Sequence, residues 1–585
     1  MKGFFNKIIR VNLTEGSYHE EHIPDNLYKR YLGGKGLATH LLLAHLSPNT
    51  DPLSPENVLI FAIGPVTDSK IFGSCRYGVF TKSPLTGYYS ESYAGGKAAE
   101  PISRTGYDAV ILHGAAPYPT LLEISDTGVV FHDAGDMWGL DAYEAEEVAL
   151  DRVKTSQRKA ALVIGPAGEQ MVRFAVIGND RGRQAGRTGV GAVMGAKRLK
   201  GIVFHGSKSR QIANPELIDR FAQEILKRGK GDRAAQAYKR YGTPQMVSIM
   251  NLVKAFPTRY WSQGSLDGWE RISADALLGE CKVRSKACPR CFMACGKLSE
   301  VTEGRHKGLR IEGPEYETIY AFGGLCLVTD IKEIIYLNDI CDRLGLDTIT
   351  AGNLTAFAIE AARRGKITEK IDYGDVEAIA SLLQRIARRE GIGEVLAQGI
   401  VHAAKTWGLE DIAIHVKGME PAGYDPRVLK GMGLAYATSS RGACHLRTTF
   451  YKPELAGIID PEQIEGKAEL LIEYEDRLII FDSLILCRFY RDMYGWEQLA
   501  SIVEGATGVR LDKDGLRKIA SQIIDDTRRF NLREGLTKAE DALPVRFHRD
   551  PLPETGKVIT EEQMERLLAD YYRCRGWNPK GIPPA

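Results

Sequence analysis

No run of the ~18–20 apolar residues needed to span a membrane occurs in this 585-residue chain, so no transmembrane helix is expected. Charge of one sign is missing too. The 77 Lys and Arg nearly cancel the 75 Asp and Glu, leaving no global field to recruit nucleic acid or an anionic membrane. The N-terminus, MKGFFNKIIRVNL, has neither a long apolar core nor a small-residue cleavage site. No signal peptide is expected, and the reading is cytoplasmic. Ten cysteines in so long a chain, without a secretion signal, argue against a disulfide scaffold and for metal or redox use. There is no convincing internal repeat, low-complexity tract or coiled-coil heptad.

Glycine is what the chain has in excess. Sixty-one glycines exceed the roughly 7% average, and without a collagen-like period they suggest backbone brought close to something. The first 205 or so residues read as β-rich, with short apolar runs at 8–11, 58–63, 109–112, 121–124 and 128–131 between Gly, Pro and Asp-Thr-Gly turns. Glycine clusters punctuate this part at 33–36, 95–96 and 186–195. From Asn214, with Pro215 in the first turn, apolar residues recur at helical spacing; 353–363, 376–388 and 472–486 carry the pattern onward. The length predicts two to four domains. The expected class is α+β: a β-rich domain at 1–208, then mainly helical domains at 209–418 and 419–585. The last boundary rests only on the turn-rich GMEPAGYDP.

Cys288-Pro-Arg-Cys291-Phe-Met-Ala-Cys295 is the strongest chemical signal. Three thiolates at this spacing can grip three corners of one cluster or metal from a single loop, leaving backbone N–H groups for cluster sulfides. A fourth ligand must come from elsewhere, from Cys75, Cys281, Cys326, Cys341, Cys444, Cys487 or Cys574. The bland alternatives are a structural zinc knuckle or unrelated buried thiols.

Many separated segments then point one way: LSPEN at 53–57, GSCRYGVFTKSPLTG at 73–87, GPAG at 165–168 and AGRTGVGAVMG at 185–195. To these add EGPEYE at 312–317, DRLGLD at 342–347, RGACH at 441–445 and DSLILC at 482–487. With the three cysteines, these motifs resemble the aldehyde:ferredoxin oxidoreductase family of tungsten-bispterin enzymes over nearly the whole length. The resemblance implies an N-terminal domain that carries the cofactor and two helical domains enclosing the metal-pterin site. It selects Cys487 as the fourth ligand, beside Cys288, Cys291 and Cys295, of one [4Fe–4S] cluster. It also implies a tungsten (or molybdenum) bis-pyranopterin with Mg²⁺ bridging the pterin phosphates.

The resemblance further implies roles for individual residues. Asp342, Gly345, Leu346 and Asp347 would serve one pterin, Asp482 and Leu486 the other, because a carboxylate can accept paired N–H bonds from a guanidine-like pterin edge. On sequence alone such aspartates are more often helix caps. Leu484-Ile485 departs from the small pair usual in the family. Arg76 would stand between cluster and pterin, where its cation favours the reduced cluster. The runs Tyr93-Ala94-Gly95-Gly96 and Ala185-Gly186-Arg187 would bring backbone to the pterin phosphates; GRTGVG lacks the setting of a dinucleotide fingerprint. Glu317 and His445 would handle protons, the first as base and the second as hydrogen-bond donor to the aldehyde oxygen, with Glu315 as competitor. The expected partners are a small aldehyde and a ferredoxin or ferredoxin-like subunit, with an oligomer possible. Some relatives bridge a dimer through iron on an E-x-x-H helix; here that stretch is Tyr336-Leu-Asn-Asp339, so no such iron is expected. The alternative activity is a tungsten-dependent benzoyl-CoA-type aromatic ring reductase, and a third reading is a zinc-stabilised scaffold without enzymatic function.

Overall fold

The computed structural model describes residues 1–584, and the chain divides into two compact units. The first comprises Met1–Gln236, Ala287–Ala294 and Asp476–Glu534; the second comprises Ala237–Lys286, Cys295–Glu475 and Gly535–Ala585.

Two six-stranded sheets organise the first unit. Strands β1 (Lys7–Asn12), β2 (Ser17–His22), β3 (Leu59–Ala62), β4 (Tyr77–Lys82), β5 (Tyr89–Ala94) and β6 (Ala109–His113) lie in the order 2-1-6-3-4-5. Strands β7 (Thr120–Ser125), β8 (Gly128–Asp133), β9 (Lys159–Val163), β10 (Ile177–Asn179), β11 (Arg183–Ala185) and β12 (Leu199–His205) lie in the order 11-10-9-12-7-8. Neighbours pair antiparallel except β1 with β6 and β7 with β12. Each apolar run expected to be a strand is one. Side chains alternate across a strand, so Ile9, Val11 and Val110 face a core shared with Leu122, Leu162 and Ile202 of the second sheet. Ile8, Ile60 and Ile111 pack on the opposite side, against Leu37 and Leu41 of the helix Gly34–His45. The first sheet is therefore covered on both faces.

Helices dominate the rest. Asn214 caps the helix Pro215–Gly231 by accepting from the Leu217 N–H, as Pro215 in its first turn anticipates. The second unit holds Ile331–Leu344, Thr348–Arg363 and Val376–Arg388, and Lys467–Ser483 is shared, with the first unit beginning at Asp476. A small antiparallel sheet, β13 (Cys281–Lys286), β14 (Gly296–Val301) and β15 (Arg310–Glu312), interrupts the stretch expected to be helical. CKVRSK is largely exposed and GKLSEV largely buried, yet both are rich in polar residues, so their alternation is weakly apolar and hard to read. The register pairs Lys286 with Gly296, which makes the whole cysteine motif the connection between β13 and β14. No helix among the described residues is long and apolar enough to cross a membrane.

Candidate active site

Three of the four expected cluster thiols come together in the first unit. Cys487 donates its N–H to the Gly73 carbonyl at 2.9 Å, and a Cβ built on Gly73 would lie 3.3 Å from the Cys487 Cβ. Cys288 Sγ accepts the Gly96 N–H at 3.3 Å. Cys291 Sγ stands 3.2 Å from the Tyr490 hydroxyl. Burial and then the neighbouring Cys487 push the Cys291 thiol up. Cys295 is half-buried and opens the second unit's stretch. Among the described residues no three His, Cys, Asp or Glu converge on a single-ion site. Cluster ligands stand at the corners of a cube, farther apart than the ligands of one ion. Soft sulfurs with N–H and O–H donors aimed at them fit an iron–sulfur cluster.

The two glycine-bearing runs meet beside Cys288. Tyr93 and Ala94 end β5, and Gly95 and Gly96 follow; Ala185 ends β11, and Gly186 and Arg187 follow. The Arg187 N–H reaches Ser92 Oγ at 3.3 Å, and Ser90 and Thr188 hydroxyls bond at 2.6 Å. Arg76 donates to the Tyr93 carbonyl at 3.0 Å, and Asn179 to the Gly95 carbonyl at 3.1 Å. A Cβ on Gly95 would sit 3.3 Å from Cys288 Sγ and 3.6 Å from an Arg76 nitrogen. Backbone at 93–96 thus lies beside Arg76 and Cys288, with the Asp180 carboxylate accepting the Lys97 N–H at 2.5 Å.

The aspartate motifs sit at helix ends. Asp342 lies in the last turn of Ile331–Leu344 and accepts from Asn338 Nδ2 at 2.8 Å. Gly345 follows with φ +78°, and Leu346 returns its N–H to the Cys341 carbonyl at 2.9 Å. Asp347 then caps Thr348–Arg363 through the Ile349 N–H at 3.0 Å. Asp482 is the penultimate residue of Lys467–Ser483 and pairs with Arg488 at 2.6 Å. Ile485 follows with φ +53°, and Leu486 returns its N–H to the Phe481 carbonyl at 2.8 Å. Both motifs close the same way, with a left-handed residue three after the aspartate and a six-to-one bond from the fourth. Asp347 is the helix cap that its sequence allowed; the other two are not N-caps.

In the second unit Glu317 and His445 are neighbours, with Nε2 3.4 Å from Oε1. The Gly423 N–H donates to the other Glu317 oxygen at 3.1 Å, and Tyr424 stacks on the imidazole at 5.5 Å. Glu315 is bound to the Thr243 hydroxyl. Directly after Glu317 the chain widens into a π-helical turn at Ile319–Gly324, closed by Leu325 N–H to the Tyr320 carbonyl at 2.9 Å.

Sequence reasoning missed the wall around this pair. Tyr316, Tyr424 and Tyr436 are fully buried, and burial first, with the Glu317 charge adding, pushes all three phenols well above their ordinary range. They remain protonated hydrogen-bond donors: Tyr316 to the Gly423 carbonyl, Tyr436 to the Ala422 and Tyr424 carbonyls. Cys444, one of the seven candidates for a fourth ligand in the sequence, lies in the same RGACH segment as His445. Burial pushes its thiol up, but Arg441, 2.9 Å from Sγ, and Arg447 outweigh burial and hold it at about 7. Tyr316 and Tyr436 lie in short helices and Tyr424 between elements, so no common spacing links them, and only the EGPEYE and RGACH motifs hinted at this group.

Known proteins resemble this chain over its whole length. The profile "Aldehyde ferredoxin oxidoreductase, N-terminal domain" matches residues 8–206, and "Aldehyde ferredoxin oxidoreductase, domains 2 & 3" matches 220–585. The chain is 36% identical to the "Tungsten-containing aldehyde ferredoxin oxidoreductase" of Pyrococcus furiosus, over 100% of this chain and 98% of that one. It is 28% identical to the "Aliphatic sulfonate oxidoreductase, WOR-like subunit" of the same organism, over 100% of this chain and 96% of the relative. A solved structure described as "Active site complex BamBC of Benzoyl Coenzyme A reductase in complex with 1,5 Dienoyl-CoA" superposes with a TM-score of 0.86 at 24% identity, covering 100% of this chain and 96% of that one; it speaks to the fold alone. The chain belongs to the aldehyde ferredoxin oxidoreductase family.

Proposed function

We propose that this protein oxidises aldehydes to carboxylic acids at a tungsten (or molybdenum) bis-pyranopterin and passes the electrons through one [4Fe–4S] cluster to ferredoxin or a ferredoxin-like subunit. The observation that carries the reading is the Glu317–His445 pair, 3.4 Å apart within a wall of protonated tyrosines, in a chain of this family. Aldehyde and water yield an acid, two protons and two electrons, so the protein must move protons while the cofactor takes electrons. When bound, the bispterin metal supplies the two-electron acceptor chemistry. Glu317, fixed by the Gly423 N–H, takes the proton of the attacking water. His445, held by its stack on Tyr424, hydrogen-bonds the aldehyde oxygen. The buried tyrosines limit bulk solvent around the pair.

Cys288, Cys291, Cys295 and Cys487 would ligate the cluster. Arg76, the 93–96 and 185–187 runs, and the two aspartate motifs with Gly345, Leu346 and Leu486 would hold the pterins and their Mg²⁺-bridged phosphates. The three-domain division at 208 and 418 and a cytoplasmic location belong to the same reading.

Metal analysis with an aldehyde panel tests it. About four irons and one tungsten or molybdenum per chain, with viologen reduction by aldehydes, are expected. Reduction of a benzoyl-CoA thioester without aldehyde activity would favour the ring-reductase reading instead, and zinc without iron would exclude both.

A further inference from the structure

The cysteine loop reaches the surface of the first unit. Ala287, Pro289 and Arg290 are exposed, and Cys288 and Cys291 are half-buried between and beside them. The helix Pro215–Gly231 ends against the same loop. A Cβ built on Gly229 would collide with the Phe292 ring, so only glycine lets the helix end seat there. Half-buried Phe292 packs edge-on against Phe72 at 4.9 Å and Tyr490 at 5.2 Å, and the Tyr490 hydroxyl stands 3.2 Å from Cys291 Sγ. Aromatic contacts thus join this helix end to a thiol assigned to the cluster.

The same helix end concentrates positive charge. Residues 227–233, KRGKGDR, hold four cations against one carboxylate, in a chain whose charges otherwise nearly cancel. Cations in a last turn ordinarily answer the helix dipole, and Arg228 fits that role, donating to the Asp492 and Met493 carbonyls at 3.4 Å each. Lys227, Lys230 and Arg233 do not: they are exposed, and none takes part in an ion pair among the described residues. The one carboxylate, Asp232, accepts the Ala235 N–H at 2.7 Å. Exposed Arg290, inside the cysteine loop, is held by the Ser69 carbonyl at 2.8 Å and adds a further cation. We propose that this helix end, with Arg290 and Phe292, is the docking surface for the electron acceptor, a small iron–sulfur carrier with an acidic face, and that Lys227, Lys230 and Arg233 steer that face onto the cluster loop. This inference rests on the reading given above, in which electrons leave through the cluster to a ferredoxin.

The test measures binding and turnover of the full-length holoenzyme with an acidic [4Fe–4S] ferredoxin, beside turnover with benzyl viologen, at low and high salt. The triple variant Lys227→Glu, Lys230→Glu, Arg233→Glu is expected to weaken ferredoxin binding and kcat/KM about tenfold at low salt and to lose the salt dependence of wild type. Its iron content and viologen-linked turnover are expected to stay within about twofold, because the changes are at the surface. The neutral triple, with Gln at the same three positions, is expected to lose about threefold and gives the same reading should charge reversal disturb the fold. Unchanged ferredoxin binding in both variants overturns the inference. An equal loss on reversing Lys2, Lys29 and Lys154, exposed cations elsewhere in the unit, also overturns it, because net charge rather than this surface would then be responsible. Wild-type protein that holds no iron, or that reduces viologen but never ferredoxin, would instead remove the reading on which the inference rests.

Discussion

Glu317 and His445 show how two ordinary side chains acquire distinct tasks from their surroundings. The carboxylate has one oxygen fastened by a backbone N–H and the other turned to the imidazole, so its position costs little reorganisation when it takes a proton. The imidazole stacks on Tyr424 and turns Nε2 towards that carboxylate. Replacing Glu317 by Gln keeps shape and hydrogen bonding but removes the base. Turnover is expected to fall by ~10²-fold or more with metal and iron content unchanged, read by steady-state assay beside metal analysis. Near-normal turnover would assign the proton to another group, with Glu315 the first to try.

At the scale of elements, the helices ending at Leu344 and Ser483 leave through the same backbone turn. Gly345 takes the left-handed conformation without cost, whereas Ile485 takes it as a β-branched residue, at a cost of about 1–2 kcal/mol. Ile485 is 1% exposed, and full burial of such a side chain contributes about 1.5–3 kcal/mol, enough to offset the strain. The space for it is made by a glycine. A Cβ on Gly34 would lie 2.5 Å from the Asp482 carbonyl and 2.7 Å from Ile485. Gly64 allows the same close approach, since its Cβ would meet the Leu484 carbonyl at 2.1 Å. The glycine excess in the sequence is thus partly a record of where the 482–486 turn is seated. Gly34→Ala combines overpacking with an unfavourable φ of +42°, and is expected to destabilise by about 2–4 kcal/mol. A thermal midpoint equal to that of wild type would show that the turn can shift at no cost.

At the scale of the whole molecule, stability depends on groups remote from any chemistry. His415 accepts the Gly418 N–H on Nδ1 at 3.3 Å, which requires the neutral ring, and burial holds its pKa down at about 4 against 6.5. The unfolded chain therefore binds this proton more readily. The contribution of His415 is complete above pH 6.5 and is lost as pH falls from there towards 4, by up to about 3 kcal/mol. Glu454, pushed up to about 7 by burial against its Lys467 partner, works in the opposite direction over part of that range. A comparison with His415→Asn, which keeps an acceptor but does not titrate, isolates the histidine. The variant is expected to gain on wild type in thermal midpoint below pH 6.5 and to run parallel above it. Parallel curves throughout would mean that the imidazole charges without penalty.

Local patterns determined most of what the sequence could reveal alone. The strands at Lys7–Asn12, Leu59–Ala62 and Ala109–His113 and the helix Val376–Arg388 follow from the spacing of apolar residues, because burial rewards a periodic face wherever it is placed. Motif spacing likewise singled out Cys288, Cys291 and Cys295, and the family resemblance singled out Glu317 and His445. Tertiary structure alone decided which distant segments meet: Gly96 with Cys288, Ser92 with Arg187, Gly34 with Asp482, and Tyr424 with His445. It also ended the helix at Ser483, short of the apolar residues that follow. Such contacts join residues far apart in the chain and depend on packing, and neither composition nor periodicity carries that information.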